Sequence, residues 1–329
     1  MLLFESPKPH NTLEILTNPV NGDGSKPQVA PDRGHYEPSA VFLMTAVHVL
    51  GIAGIVLYPP SLSLVVLCIG SYYLRMFGIT AGYHRYFAHR TFRTSRWFQF
   101  VLAFLGSTAT QRGALWWAAH HRDHHRHSDT EIDLHSPIQR GFWWSHIGWI
   151  VHSSSTATRW NNIKDFTKYP ELVVLDNWRL VAPIVYATTL YWLGGGPALF
   201  WGYFLSTAIL WHGTFVINSL CHVWGSRRFE TADTSRNNLW LALLTLGEGW
   251  HNNHHHYHSS ARQGWLWWEV DGTYYALKLL EKLRIVEKLK GVPERVWSRS
   301  GSNAISNTPS TAAEFGTAIN LVDATESAT

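Results

Sequence analysis

Histidines at short, repeated intervals mark an otherwise apolar chain. They read His84-Arg85-Tyr86-Phe87-Ala88-His89, His121-Arg122-Asp123-His124-His125 and His251-Asn252-Asn253-His254-His255. Imidazole is the commonest metal ligand among side chains, and three such groups exceed what one ion needs. His121, His124 and His125 fall at i, i+3 and i+4, one face of a helix, and His251, His254 and His255 repeat that spacing. His84 and His89, at i and i+5, do not share a face of an ideal helix. They either approach the metals from two angles or lie where the helix is distorted. Asn218 and His222, at i and i+4, can complete a site. That makes nine imidazoles, which divide as five and four around two ions, with Asn218 holding a water on the poorer one. Which ring serves which ion does not follow from spacing.

The donor set narrows the metal. Two cysteines, Cys68 and Cys221, allow neither a disulfide framework nor a thiolate cluster. Closed zinc sites take four ligands and usually include Cys. A histidine-rich pair with more ligands suits redox iron, and iron with an exchangeable position can activate dioxygen, as zinc cannot. Asp123, Asp129, Glu131, Asp133, Glu248 and Asp271 lie near the clusters in sequence and are candidates to orient the rings. His10, His35, His48, His120, His127, His135, His146, His152, His212, His256 and His258 do not fit the spacing and are read as packed or surface residues.

These groups need elements to hold them. The chain has 329 residues, of which only 15% are charged, against roughly 25% in soluble proteins. Its 18 tryptophans suit a membrane–water interface. Ser39 to Tyr58 carries no formal charge and is long enough to span a hydrocarbon core of about 30 Å. Pro59-Pro60 ends it, and a second apolar run continues from Ser61 to about Tyr83, broken by Arg75. Trp178 to Leu193 and Pro197 to about Ile217 form a second pair around Gly194-Gly195-Gly196-Pro197. Trp97 to Ala119 is apolar too, but if it crossed the bilayer His121 would lie about 30 Å from His84. It is therefore expected to lie in or on the membrane, or against the other helices.

The His-side segments carry Arg85, Arg90, Arg93, Arg96, Arg159, Lys164, Lys168, Arg179, Arg227, Arg228 and Arg236, while the opposite turns carry no cation. By the positive-inside rule the His face is cytoplasmic. The expected fold is all-α: four transmembrane helices in two hairpins under a cytoplasmic helical cap. Thr273 to Lys290 reads as an amphipathic helix on that cap. Residues 1–36 read as a flexible arm, 37–297 as the catalytic membrane domain and 298–329 as a disordered tail. Met1 to Glu5 lacks a basic stretch leading into an apolar one, so no signal peptide is expected. A net charge of +4 is too small to argue for nucleic acid.

At these residues the chain resembles the membrane fatty acid desaturases, particularly the acyl-CoA, delta-9 (stearoyl-CoA) branch and its bacterial relatives. The matching stretches are Gly82 to Arg90, His121 to Thr130 with His135-Ser136-Pro137, Asn218 to His222, and Ser235 to Asn238 leading to Gly247 to His255. The similarity runs in order through roughly residues 40 to 290. It implies a four-helix membrane body and a di-iron centre. His84, His89, His121, His124, His125, His222, His251, His254 and His255 would be the ligands, with Asn218 acting through water. Leu134 and Tyr257-His258 depart from the pattern, where Pro and Phe-Pro are common.

The implied reaction removes hydrogens from two adjacent methylenes, with dioxygen as co-substrate, and leaves a cis double bond. The substrate would be a long-chain acyl-CoA, with an acyl-lipid as the alternative. A related di-iron hydroxylase or ketolase shares the three-box pattern. The protein's share is to hold two carbons of a flexible chain beside the metals in a tunnel of apolar and aromatic walls. Trp116, Trp117, Trp143, Trp144 and Trp149 are candidate walls. Arg159, Lys164 and Lys168 are candidates for an anionic head group. The sequence contains no glycine-rich dinucleotide fingerprint and no His-Pro-Gly-Gly haem signature. A separate ferredoxin or cytochrome, with its reductase, must therefore supply electrons.

Overall fold

The computed structural model describes residues 34–298; nearly all of the expected arm and tail lie outside them. Among the described residues, three helical stretches are long and apolar enough to cross a membrane: Pro38–Leu57, Leu62–Ala88 and Val181–Val223. The first is helix α1, and Tyr58-Pro59-Pro60 ends it. Phe42, Val56, Leu62, Trp192 and Leu193 are all at least 75% exposed, a surface that suits lipid and not water. The third stretch is broken where Gly194 and Gly195 leave helical φ/ψ, Gly195 at φ +63°. A glycine takes that left-handed conformation without a Cβ clash. The chain then folds back, so that Leu190 packs against Gly202.

The second stretch reaches further than its apolar pattern suggests. Helix α2 (Leu62–Phe77) runs directly into an 11-residue π-helix, Gly78–Ala88. Its i→i+5 pattern ends with the His89 amide donating to the His84 carbonyl at 3.1 Å. Residues five apart are thereby one turn apart, and the two rings stand 4.8 Å apart. This is the local distortion that the odd spacing anticipated.

Arg75, the polar interruption in α2, is completely buried. Its five N–H groups are met without a carboxylate. Ser71, Thr108 and Gly202 accept through their carbonyls, and Ser206 and Thr207 through their hydroxyls. Tyr186 and Tyr203 offer their ring faces to the guanidinium, which lowers the cost of an apolar setting.

Trp97 to Ala119 does not form a span. It divides into α3 (Arg96–Ser107) and α4 (Ala114–His127) around Thr110 and Arg112, both at positive φ. At 12 residues, α3 rises about 18 Å, short of a hydrocarbon core. The first turn of α4 has no cap of its own. Asp176 supplies one from the helix Pro170–Asn177, accepting from the Leu115 and Trp116 amides at 3.0 and 2.9 Å. That satisfies two orphan donors and anchors the element carrying the second histidine group.

One expectation is corrected. The amphipathic helix covers only Gly272–Lys282, not Thr273 to Lys290. Arg284 turns the chain at positive φ, and Val286–Glu287 then pairs antiparallel with Arg93–Thr94. Among the described residues the fold is thus predominantly helical, with one two-stranded ribbon.

Candidate metal centre

The histidines lie far apart in sequence and meet in space. His84, His89, His121, His125 and His254 form one group, and His124, His222, His251 and His255 a second. Within each, the available ligand atoms all lie within 4.8 Å of one another. In the first group, Nε2 atoms face each other at 2.9 to 3.0 Å: His84 with His254, His89 with His121, and His125 with both His121 and His254. In the second, His222 and His251 face at 3.2 Å. Nitrogens about 2.1 Å from one ion and at right angles to each other lie about 3.0 Å apart.

Carboxylates explain why Nε2 points inward. Glu248 takes His84 Nδ1 at 2.5 Å, Asp133 takes His124 Nδ1 at 3.0 Å, and Asp129 takes His222 Nδ1 at 3.1 Å. Asp233 takes His255 Nδ1 at 2.7 Å. Each of those rings then presents only a lone pair at Nε2, the form that binds metal. His255 Nε2 is buried with no protein partner. Lone pairs crowded at such distances repel unless a cation lies between them, so the donor set fits bound metal ions.

The electrostatics agree. Burial, reinforced by neighbouring imidazoles, holds His89, His121, His125, His251 and His254 well below the usual histidine value. These rings are neutral. Burial also brings His255 down to about 4 against the opposing pull of Asp233. His124 is the exception: there the pull of burial is outweighed by Asp133 and its acidic neighbours, which raise it. Burial alone would raise Asp129, Asp133 and Asp233. Their histidine partners and hydrogen bonds reverse that and hold all three far below the carboxylate range.

Among the acids proposed from sequence, Asp129, Asp133 and Glu248 thus touch the rings. Asp271 acts at one remove: Arg85, fully buried, bridges it to Glu248. Asp123 pairs instead with Arg126 and Arg159, and Glu131 is exposed. Asp233 went unrecognised. It is 22 residues from His255, and no spacing rule links them.

The asparagines between the third-group histidines also have work. The Asn237 side chain accepts from the Asn252 and Asn253 amides at 3.0 and 3.1 Å, capping the short helix His251–His256. Asn252 in turn accepts from the Arg228 and Phe229 amides.

A cavity of about 620 Å³ abuts both groups: His84, His121, His124 and His251 form part of its wall, and Asn218 and Glu248 lie beside them. Trp116, Trp117 and Trp149 line it as expected. Gln111 and Thr214, also on the wall, are joined by a 2.7 Å hydrogen bond. Trp143 and Trp144 lie off the lining; Trp143 is exposed and Trp144 donates to the Leu134 carbonyl. Arg159, Lys164 and Lys168 lie off it too. Arg159 is engaged by Asp123, Lys164 is exposed, and Lys168 lies over the Tyr169 ring. The cations on this cavity are Arg112 and Arg179, which long side chains bring in from outside the histidine groups.

Membrane-length apolar helices with two buried histidine groups at the wall of an apolar cavity fit a class: membrane proteins able to hold metal beside a greasy substrate. The family model for fatty acid desaturase matches residues 41–276, and the chain belongs to that family. It is 39% identical over 221 residues to the sn-2 palmitoyl-lipid 9-desaturase of Nostoc sp. (strain 36), covering 66% of this chain and 77% of that one. It is 41% identical over 214 residues to the sn-1 stearoyl-lipid 9-desaturase of Anabaena variabilis, covering 65% and 78%. Against the acyl-CoA C20 Delta5-desaturase of Anemone leveillei it is 38% identical over 230 residues, covering 69% and 73%.

Proposed function

We propose that this protein is a di-iron, O2-dependent desaturase that introduces a cis double bond, at the 9 position, into a long saturated acyl chain. The observation that carries this reading is the cavity, whose wall includes rings from both histidine groups. Its 620 Å³ falls within the roughly 300–1,000 Å³ of small-molecule sites. Two of the relatives above carry the 9 position in their names.

In this reading the five-histidine and four-histidine groups each hold one iron, with Asn218 acting through a water at the second. The irons, when bound, supply the dioxygen chemistry that breaks unactivated C–H bonds. The chain's own residues do the rest. Met76, Ile79, Trp117, Trp211 and Phe215 confine the acyl chain, exchanging its freedom for alignment beside the metals. Glu248, Asp133, Asp129 and Asp233 hold four rings in the tautomer that leaves Nε2 free. The second hairpin and the positive-inside charge pattern support four crossings with the histidines on the cytoplasmic side.

The cavity lining bears on the acyl carrier. A CoA head would need several cations, and Arg159 and Lys164 lie off the cavity. Phe42, Leu43 and Leu180, exposed and apolar, flank Arg112 and Arg179 on the lining instead. This favours a chain arriving from the bilayer on a lipid. Acyl-CoA is the second reading, supported by Arg112 and Arg179. Expression in a host that supplies ferredoxin or cytochrome electrons, with lipid and acyl-CoA pools profiled by mass spectrometry, tests it. A new 9-alkene appearing first in intact glycerolipid is expected. A hydroxylated chain with no alkene would reject desaturation.

A further inference from the structure

Desaturation removes two hydrogens from the acyl chain and reduces dioxygen to two waters. Of the four electrons required, the substrate supplies two. The other two must come from a donor, with two protons from solvent. Their point of entry is not assigned by the site described so far.

The rings of the five-histidine group do not all face the cavity. His84 and His121 line it, but His89 and His125 do not. Against those two lies His258, an exposed ring 5.2 Å from His89 and 5.3 Å from His125, centroid to centroid. A carrier touching His258 would be one imidazole away from candidate ligands, on the side the acyl chain does not occupy. Electron transfer falls steeply with distance, so this short route matters.

The surrounding surface is basic. Arg90 follows His89 and Arg126 follows His125, with side chains 61% and 52% exposed. Lys290, also exposed, is tied to the same region through its backbone, donating to Thr91 and accepting from Ala261, both at 2.8 Å. Asp165 is shared by Arg90 and Arg122, and Asp123 by Arg126 and Arg159. Four guanidiniums against two carboxylates leave a surplus of two positive charges, and Lys290 makes it three. Arg93 and Glu287, opposite each other across the ribbon, cancel.

We propose that an acidic one-electron carrier protein docks on the Arg90, Arg126 and Lys290 surface and passes electrons through His258 to the five-histidine group. This rests on the desaturase reading above. Complementary charge speeds encounter and sets orientation, so binding should weaken as salt rises.

The test uses the iron-loaded full chain in nanodiscs, a plant-type [2Fe–2S] ferredoxin as the acidic probe and a basic cytochrome c as control. The triple variant Arg90→Gln, Arg126→Glu, Lys290→Glu should raise the ferredoxin Kd at least tenfold and flatten its salt dependence, with iron content unchanged. Should the triple variant lose iron, Lys290→Glu alone should still raise Kd about threefold. His258→Ala should bind ferredoxin normally. Its anaerobic reduction by pre-reduced ferredoxin, followed by stopped flow, should be at least fivefold slower. Unchanged Kd in both charge variants, equal binding of cytochrome c, or wild-type reduction in His258→Ala would overturn the proposal. A single turnover of chemically pre-reduced protein separates the two readings. Failure of the wild-type chain to form an alkene there counts against desaturation itself. Charge-insensitive binding with normal single turnover counts against the docking surface alone.

Discussion

At the scale of single residues, the two histidine groups predict which substitutions matter. His124→Ala and His254→Ala each remove one ring from a different group. Each should abolish product formation and lower the iron content by about one per chain, with the protein still in the membrane fraction. Full turnover in His124→Ala would refute the ligand assignment. His48, which hydrogen-bonds His212 away from both groups, should be replaceable by Ala with turnover retained. Asp233→Asn tests orientation. Its carboxylate fixes the His255 tautomer, so iron retention against a chelator should weaken about 10- to 100-fold. Asp233 was invisible in the sequence because a ring-orienting acid need only be close in space.

At the scale of elements, the π-helix is the decisive device. It turns an i, i+5 pair into neighbours, and it packs tightly on α3. A Cβ added at Gly78 would lie 2.6 Å from the Gly106 amide nitrogen and 2.8 Å from the Leu105 carbonyl carbon. Those are backbone atoms that cannot swing aside. Gly78→Ala should therefore destabilise the protein by about 1–3 kcal/mol, shift His84 and His89, and reduce iron binding. Gly70→Ala meets nothing within 4 Å and should leave both stability and iron unchanged. Thermal unfolding and iron analysis of the two variants separate local crowding from a general cost of altering α2.

For the whole molecule, the proposed reading places substrate and metals on one boundary. In that reading the apolar hairpins lie in the bilayer, the histidines gather at their ends, and the cavity runs alongside both. The proposed cytoplasmic orientation is measurable by labelling with an impermeant maleimide. Ser61→Cys, in the turn after α1, should react in intact cells. Glu131→Cys, an exposed position beyond the second histidine group, should react only after lysis. Cys68 and Cys221 are buried and should contribute little background. Labelling of both new cysteines from the same side would end the four-crossing reading.

Much of this architecture is written in local pattern. Apolar run length and charge-free turns mark the membrane hairpins, and the i, i+3, i+4 spacing marks the faces of α4 and His251–His256, because each is a property of one element alone. Contacts between elements are not. His84 meets His254 across 170 residues, so which rings make up the five and which the four became visible only when the chain had folded. The same reason hid Asp233 and put Arg112 and Arg179, not Arg159 and Lys164, on the cavity. The C-terminal amphipathic pattern was overread because leucine spacing persists past Lys282, whereas pairing of Val286–Glu287 with Arg93–Thr94 claims that segment for a ribbon. The sequence by itself determined which side chains can bind metal and which segments must avoid water. The tertiary structure decided which nitrogens face one another, which acids orient them and which surface the substrate meets, since those depend on distances that no one-dimensional period records.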